Sequence, residues 1–165
     1  MRTSRGPTHS QSLERLFFGI PHLKLLAASH VHDAGALLKL AAADTDPVLF
    51  IENKLLYPMP LLLQAHGEIG ALVTTPDRAG YPVVTVTNYP ATQTPDVTII
   101  AYGGMSRLVL PLLGELAAEE IRLLACFPSC ISPLNPAPLI QAGMASGRVI
   151  VVEESQSRRH GLDDV

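Results

Sequence analysis

The stretch GPTHSQSLERLFFGIPHLKLLAASHVHDAGALLKLAAADTDPVLFIENKLLY, residues 6–57, predicts an alternation of helices and strands. Short apolar runs at 23–27 and 48–52 are typical of strands that are buried on both faces. Between them, apolar residues recur at helical spacing over 34–42, and Ser29 is a suitable N-cap for that helix. A strand–helix–strand unit of this kind predicts two parallel strands with a right-handed crossover.

A further helix is predicted near the start of the chain. Thr8 and Gln11 have the spacing of a capping box, and Gly19 and Pro21 provide a stop signal. His9 would then lie at the helix N-terminus, where the positive end of the dipole disfavours the charged imidazolium. A neutral imidazole can accept or donate a proton near neutral pH. His9 is therefore a candidate acid–base residue, with a purely structural role as the alternative.

The second half of the chain repeats the alternation of strands and helices. Strands are predicted at 96–104, 121–127 and 148–155. Pro111 falls inside the first intervening helix, which should kink there or start late because proline removes a backbone hydrogen bond. The second helix should begin at Asn135 and Pro136 and end at Gly147. This order of elements predicts an α/β protein with parallel sheets flanked by helices.

The chain divides into three predicted segments. Residues 1–57 form the first α/β unit, and residues 96–165 form the second. Residues 58–95 are rich in proline, glycine and threonine, and they predict a linker. Within that linker, YPVVTVTNY (81–89) is the best candidate for a short strand.

Composition excludes several classes of protein. The net charge is −3, and basic residues are scattered, so nothing indicates nucleic-acid binding. No apolar run reaches the roughly 18 residues of a membrane helix, and the start lacks a hydrophobic signal core, so a cytoplasmic location is expected. Hydrophobic residues make up 47% and charged residues only 16%, against about 25% in typical globular proteins. The two explanations are a surface that lies against partners and a core rich in alanine and leucine.

The remaining candidate metal ligands form no strong pattern. Cys126 and Cys130 lack the spacing of a zinc pair and have no second pair, which predicts buried free thiols. His30 and His32 could place two imidazoles on one side of an extended segment. No third ligand is placed by the sequence, so zinc is a weak hypothesis.

Four segments carry a resemblance to a known family: GPTHSQSLE (6–14), FFGIPHLKLLAAS (17–29), DAGALLK (33–39) and DTDPVLFIENKLLY (44–57). They resemble the later part of the pyrimidine-binding domain in beta subunits of the thiamine-diphosphate-dependent 2-oxoacid dehydrogenase E1 component, of the pyruvate or branched-chain type. A weaker match over 96–154 resembles the front of the transketolase C-terminal domain. The resemblance implies a partial pyrimidine-binding unit at 1–57 and a partial transketolase C-terminal-like domain at 96–165.

The resemblance also implies site residues. In the family, the histidine that matches His9 faces the cofactor and takes part in proton transfer, so the resemblance implies a catalytic role for it. A potassium ion is held in the family at the end of the second helix, where the matching residues are Ala41, Ala42, Asp44 and Asp46. Carbonyl oxygens at a helix C-terminus are suitable ligands for a large monovalent cation.

Two functions are compatible with these observations. The first is a beta-subunit-like part of an E1 component, which performs oxidative decarboxylation of a 2-oxoacid. The chain begins only a few residues before His9, so the family's cofactor-activating glutamate is expected to be absent from it, and the chain alone is expected to be inactive. Thiamine diphosphate would then bind only in a complete assembly with an E1 alpha-like subunit. The second is a degenerate, non-catalytic module that keeps the fold and self-associates or binds a partner.

Overall fold

Helices and strands alternate along the chain in the computed structural model, which describes residues 12–64, 70–77 and 79–154. The strands are β1 (Lys24–Ala27), β2 (Val48–Ile51), β3 (Ala71–Pro76), β4 (Pro82–Thr87), β5 (Val97–Ala101), β6 (Leu123–Pro128), β7 (Cys130–Ser132) and β8 (Val149–Val152). The α-helices are α1 (Ala34–Ala43), α2 (Ser106–Val109), α3 (Leu112–Ala118) and α4 (Ala137–Ser146). No helix within the described ranges has the length and apolar composition needed to cross a bilayer.

The strands form two sheets. A three-stranded sheet has the order β2-β1-β7, and a five-stranded sheet has the order β3-β4-β6-β5-β8. Strands joined through helices are parallel, as predicted: β1 pairs with β2, and β5 pairs with both β6 and β8. The hairpin of β3 and β4 and the strand β7 add antiparallel pairs. The α/β class is therefore confirmed, with sheets of mixed rather than purely parallel pairing.

The segment predicted as a linker contributes two strands to the five-stranded sheet. The strand predicted at 81–89 is confirmed as β4, which lies inside the sheet between β3 and β6. Both faces of this strand are largely buried: Val83 belongs to one core cluster, and Val84 and Val86 belong to another, because successive side chains of a strand point to opposite faces. The first and last segments are also joined directly, since β1 pairs with β7. The boundaries at 57/58 and 95/96 remain a prediction.

Two apolar layers cover the faces of the five-stranded sheet. On one face, Ile99 and Phe127 belong to a core cluster that includes residues of α2 and α3. On the other face, Ile100 packs in a cluster with residues of β1, β7 and α4. The three-stranded sheet and α4 therefore lie on one side of the larger sheet, with α2 and α3 on the other.

The N-cap of α1 differs from the prediction. Asp33, not Ser29, caps this helix, and its Oδ1 accepts a hydrogen bond of 3.0 Å from the Ala36 N–H. Ser29 lies four residues further upstream and bonds to His32 instead. Both residue types are good N-caps, so local preference could not decide between them.

The helices of the second half follow the sequence signals closely. Leu110 and Pro111 separate α2 from α3, which confirms the predicted interruption. The helix α4 begins one residue later than predicted, with Pro136 as N-cap, and Asn135 Oδ1 accepts a hydrogen bond from the Ala137 N–H. Gly147 ends the helix with φ +66°, a left-handed conformation that favours glycine.

The helix predicted after Thr8 is represented in the described part of the chain by a single 3-10 turn, Glu14–Phe17. The predicted apolar face is not buried, because Leu13 and Leu16 are each more than half exposed. Gly19 with φ +75° and Pro21 stop the turn, as the sequence indicates. Thr8 and Gln11 lie outside the described residues.

Candidate functional site

The predicted catalytic residue His9 lies in the range 1–11, outside the described residues. Its role therefore remains a prediction. The polar side-chain contact that follows it first in the described part of the sequence is the one of Glu14, whose Oε1 lies 3.4 Å from the Tyr102 hydroxyl. That contact places Glu14 against Tyr102, the residue that follows β5.

The predicted potassium site comprises Ala41 and Ala42 in the last turn of α1 and Asp44 and Asp46 between α1 and β2, and we term it the aspartate turn. Lys24, the first residue of β1, points its ammonium group at this turn because β1 and β2 are paired from Lys24 and Val48 onward. Its Nζ lies 2.7 and 2.8 Å from the two carboxylate oxygens of Asp44 and 3.2 Å from Asp46 Oδ2.

Further hydrogen bonds fix the aspartate turn. The Tyr81 hydroxyl donates to Asp44 Oδ2 at 2.6 Å, and the Asp46 N–H donates to Asp44 Oδ1 at 3.0 Å. The hydrogen bond from Lys24 is the main cause that holds the pKa of Asp44 well below its usual range, and the same contact raises the pKa of Lys24. Burial, followed by the hydrogen bond to Asp44, raises the pKa of Tyr81.

These contacts determine how the aspartate turn could receive potassium. Both carboxylates already face the Lys24 ammonium, which is itself a monovalent cation. The Ala41 carbonyl accepts a hydrogen bond of 3.3 Å from the Asp44 N–H. Potassium would therefore share these ligands with groups of the chain itself, and the assignment remains a prediction.

A second group of residues lies where β1, β2 and β5 end, and its members His30, Asn53, Gly103 and Gly104 define what we term the strand-end group. A Cβ built on Gly103 would lie 3.7 Å from the Ala27 Cβ, and one built on Gly104 would overlap the Asn53 side chain. The carboxyl ends of the three strands therefore meet here. Crevices outside the carboxyl ends of strands are the usual ligand sites of open α/β sheets.

His30 is held in one tautomer by its neighbours. The Ser106 hydroxyl donates to the Gly103 carbonyl at 2.8 Å, because a carbonyl can only accept. Since that proton is used, the 3.0 Å contact between His30 Nδ1 and Ser106 Oγ has the imidazole as donor. His30 Nε2 consequently carries a lone pair. Burial lowers the pKa of His30, which favours this neutral form.

His32 is held in the opposite tautomer. The Ser29 N–H donates to His32 Nδ1 at 3.2 Å, so the ring proton is on Nε2, which donates to the Phe127 carbonyl at 3.1 Å. The Ser29 hydroxyl also lies 2.8 Å from Nδ1. Burial lowers the pKa of His32 to about 4. We term Ser29, His30, His32 and Ser106 the histidine cluster.

The zinc hypothesis for His30 and His32 has no structural support in the described part of the chain. The two imidazoles bond to different elements, α2 and β6, and no group of three or more candidate ligands is assembled among the described residues. Cys126 and Cys130 are confirmed as buried free thiols, and burial raises the pKa of each to about 12.

The sequence did not indicate Lys24 or Asn53 as site residues, and it indicated His30 and His32 only as a weak zinc pair. One signal was available: polar residues directly follow the buried strands β1 and β2, at the edge where parallel sheets usually bind ligands. The partners of these residues lie in distant parts of the sequence and gave no such signal.

The architecture matches a known domain class. Residues 89–162 match the family model of the transketolase C-terminal domain. A solved structure described as a split-gene transketolase, an inactive beta4 tetramer, has a TM-score of 0.59 at 19% identity over 90% of this chain and 44% of that chain. The transketolase of Campylobacter jejuni has a TM-score of 0.55 at 17% identity over 93% of this chain and 22% of that chain. The fold is therefore transketolase-like.

Sequence similarity to curated proteins is more specific. The chain is 32% identical over 157 residues to the beta subunit of acetoin:2,6-dichlorophenolindophenol oxidoreductase from Cupriavidus necator, covering 95% of this chain and 43% of that protein. The 2-oxoisovalerate dehydrogenase subunit beta of Bacillus subtilis gives 32% identity, 95% of this chain and 44% of that protein. The chain is 30% identical to the mitochondrial pyruvate dehydrogenase E1 component subunit beta-1 of Arabidopsis thaliana, over 95% of this chain and 40% of that protein.

The resemblance predicted from the sequence is thus confirmed. Over 95% of its length the chain is similar to beta subunits of an acetoin oxidoreductase, a 2-oxoisovalerate dehydrogenase and a pyruvate dehydrogenase E1 component. It spans less than half the length of these curated relatives.

Proposed function

We propose that the chain forms part of an E1-type beta subunit and contributes to the oxidative decarboxylation of a 2-oxoacid, in assembly with an alpha-type subunit. The observation that carries this proposal is its 30–32% identity, over 95% of its length, to beta subunits from bacteria and a plant. In this proposal the chain supplies His9 as an acid–base residue. Cytoplasmic location belongs to the same proposal.

Thiamine diphosphate is the cofactor in this proposal, and it supplies the carbanion chemistry when bound. The described residues offer no diphosphate cradle of their own. The glycine pair Gly103–Gly104, which follows β5, packs against Ala27 and Asn53, so its backbone is not open to a phosphate group. Binding would therefore depend on the alpha-type subunit, and we expect the chain alone to show neither tight cofactor binding nor turnover. Calorimetry with thiamine diphosphate and magnesium tests this expectation.

A chimeric subunit gives the sharpest test of His9. Residues 6–154 of this chain would replace the matching segment in the beta subunit of the Bacillus subtilis 2-oxoisovalerate dehydrogenase, and the chimera would be assembled with the alpha subunit of that enzyme. If the assembly decarboxylates 2-oxoisovalerate, His9→Ala should lower kcat by about 10²–10⁴, the range for a positioned acid–base group.

The control is Lys39→Ala, because Lys39 is an exposed residue of α1 and belongs neither to the catalytic assignment nor to the potassium assignment. It should leave kcat unchanged. Equal turnover for His9→Ala and its parent would show that His9 is not catalytic. A correctly assembled but inactive chimera would contradict the proposed enzymatic function.

The alternative is a non-catalytic module that associates with itself or a partner, and one surface favours it. The outer strand β8 exposes about half of Val149 and Ile150, while Ile140 and Met144 on α4 are 49% and 79% exposed. Unpaired strand edges and exposed apolar side chains favour association. We expect a dimer or larger species in light scattering at micromolar concentration. A monomer in that measurement would contradict this alternative and the predicted self-association.

Potassium binding at Ala41, Ala42, Asp44 and Asp46 also belongs to the proposed function. The carbonyl and carboxylate oxygens of this turn support it, while the Lys24 ammonium competes for both carboxylates. A substitution that removes this ammonium group therefore provides a direct test, which is described below.

A further inference from the structure

We propose that β8 pairs with the β8 strand of a second copy of this chain. The two strands run antiparallel, with Val151 opposite its own copy and Arg148 opposite Glu154 of the other chain. This inference rests on the self-association described above as the alternative under the proposed function, and it specifies the strand, the partner and the register. It holds whether or not the chain takes part in decarboxylation.

The first observation is that β8 is an exposed and apolar edge strand. In the part of the chain that the structure describes, its one neighbour is β5. The strand consists of valine and isoleucine alone, yet Val149 and Ile150 are 49% and 51% exposed. The edge strand β3 instead ends in Thr-Thr-Pro, and proline protects an edge against pairing, while β2 is only partly exposed along its length. β8 is therefore the edge best suited to bind another strand.

The second observation is the direction of the backbone groups of β8. The Thr98 N–H donates to the Arg148 carbonyl at 2.9 Å, so the backbone of Arg148 faces β5. Backbone groups of successive residues in a strand point alternately to its two sides, so those of Val149 and Val151 face away from β5. With Val151 at the centre of an antiparallel pair, each copy of Val151 donates to and accepts from the other.

The third observation is the charge pattern, which distinguishes between two registers. A two-fold axis perpendicular to the sheet places one residue opposite its own copy, and Ile150 and Val151 are the two central residues of β8. With Val151 at the centre, Arg148 lies opposite Glu154 at both ends of the pair. With Ile150 at the centre, Arg148 lies opposite Val152 and pairs with no charge. Opposite charges directly across two strands stabilise their pairing, so the first register is favoured.

The side chains on either side of this edge are compatible with the favoured register. Arg148 and the exposed Glu154 form no ion pair among the described residues, and Arg148 Nη1 makes one long hydrogen bond, 3.5 Å from the Asp96 carbonyl. Val152 packs against the core cluster that includes residues of α2 and α3, and Ile150 lies on the same face. Since Ile150 lies opposite Val152 in this register, the apolar layer continues from one copy into the next.

Cysteine cross-linking tests the register directly. In the proposed pair, the two copies of Val151 have their Cα atoms about 5.5 Å apart, within the range of a disulfide. The two copies of Ile150 are diagonal neighbours at about 7–8 Å, which is too far. After mild oxidation, Val151→Cys should therefore give at least about fivefold more disulfide-linked dimer on a non-reducing gel than Ile150→Cys. The buried Cys126 and Cys130 provide the background in the parent chain. Preferential cross-linking of Ile150→Cys, or of neither variant, would overturn the proposal.

Charge reversal tests the ends of the pair. Arg148→Glu places carboxylates opposite each other at both ends, so the Kd of the dimer in analytical ultracentrifugation should rise by at least about tenfold. Adding Glu154→Arg to that variant should restore the Kd to within about threefold of the parent. Lys39→Glu makes the same change of charge at an exposed position of α1 and should leave the Kd unchanged.

The outcomes separate this proposal from the functions on which it depends. A dimer that is insensitive to Arg148→Glu, or that the second change does not restore, would overturn the register while leaving self-association intact. A monomeric parent chain would overturn both. Decarboxylation by the chimeric assembly is a separate measurement that neither result alters. If a charge variant fails to fold, the cross-linking experiment decides the proposal.

Discussion

The histidine cluster and the aspartate turn both connect the first α/β unit to distant parts of the chain, but they do so with different physics. The histidine cluster is buried and neutral, and it reaches Ser106 and Phe127, 76 and 95 residues away. The aspartate turn lies nearer the surface and uses charges, with Tyr81 as its most distant partner, 37 residues away.

The difference shows how burial selects the chemistry of a long-range contact. Desolvation disfavours the charged form of a buried group, so the imidazoles remain neutral and act as one donor and one acceptor each. At the aspartate turn, close opposite charges instead stabilise the ionised forms. Salt should therefore weaken the contacts of the aspartate turn and leave those of the histidine cluster unchanged.

The largest expected effect is a fall in the free energy of unfolding in acid, caused by protonation of His32. The pKa of His32 is lowered to about 4 in the folded chain from 6.5, so the unfolded chain takes up the proton first and protonation favours unfolding. The free energy of unfolding should hold steady above pH 6.5 with respect to this group and fall by about 3 kcal/mol as the pH decreases toward 4. Urea denaturation at a series of pH values measures this slope.

The control for this prediction is His32→Gln. The glutamine amide can accept from the Ser29 N–H and donate to the Phe127 carbonyl, but it does not titrate. Its free energy of unfolding should vary much less between pH 6.5 and 4. Asp44 gives a linkage of the same sign at lower pH, because its lowered pKa stabilises the folded state above its ordinary value of 3.8 and this stabilisation is lost as the pH falls further. An identical pH profile for His32→Gln and the parent would contradict the assigned role of His32.

An intermediate effect is expected for Ser106→Ala. Ser106 is completely buried, and loss of its hydroxyl removes the described partner of the His30 Nδ1–H, while the Gly103 carbonyl still accepts from the backbone N–H of residue 106. Unsatisfied buried groups of this kind cost about 1–3 kcal/mol. Chemical denaturation should show this loss equally at low salt and at about 1 M NaCl, since no charge is involved.

Thr75→Ala is a suitable comparison for Ser106→Ala, because Thr75 is an exposed residue of the strand β3. It should change the free energy of unfolding very little. A loss for Ser106→Ala that disappears at high salt would mean that the histidine cluster is charged and that its tautomers are wrongly assigned.

The smallest expected effect tests the potassium prediction. Lys24→Met removes the ammonium group that faces Asp44 and Asp46, so potassium should raise Tm more in this variant than in the parent, by about 2 °C. Thermal melts in potassium chloride and choline chloride measure the difference. Lys39→Met, at an exposed position of α1, should respond like the parent. An equal potassium response in Lys24→Met and the parent would contradict competition at this turn.

Much of the fold could be predicted because its signals are local. The apolar runs that became β1, β2, β5, β6 and β8, the break at Pro111 and the stop at Gly147 depend on residues within a few positions. The antiparallel pairs could not be predicted in the same way. The pairing of β4 with β6 and of β1 with β7 depends on contacts between distant segments, which no periodicity specifies.

The candidate sites were predicted less completely for the same reason. Asp44 and Asp46 stood out in a helix-terminal turn, but Lys24 joins them only because β1 and β2 pair in register. From the sequence, His30 and His32 could be predicted only as a weak metal pair. In the structure, His30 is oriented by Ser106, 76 residues away. His32 is oriented by Ser29 and by Phe127, 95 residues away. A sequence shows which residues can bond, while the choice of partner is made by tertiary structure.

The strand order also determines when the chain can fold during synthesis. β1 can pair with β7 only after residues 130–132 have been synthesised. In the same way, β4 can pair with β6 only after residues 123–128 have been synthesised. Closing loops of this length before the contacts form is entropically costly, which slows folding and leaves apolar strands uncovered meanwhile. A nascent chain that ends before residue 123 lacks both neighbours, so the first half should be a substrate for chaperones on the ribosome until the last third emerges.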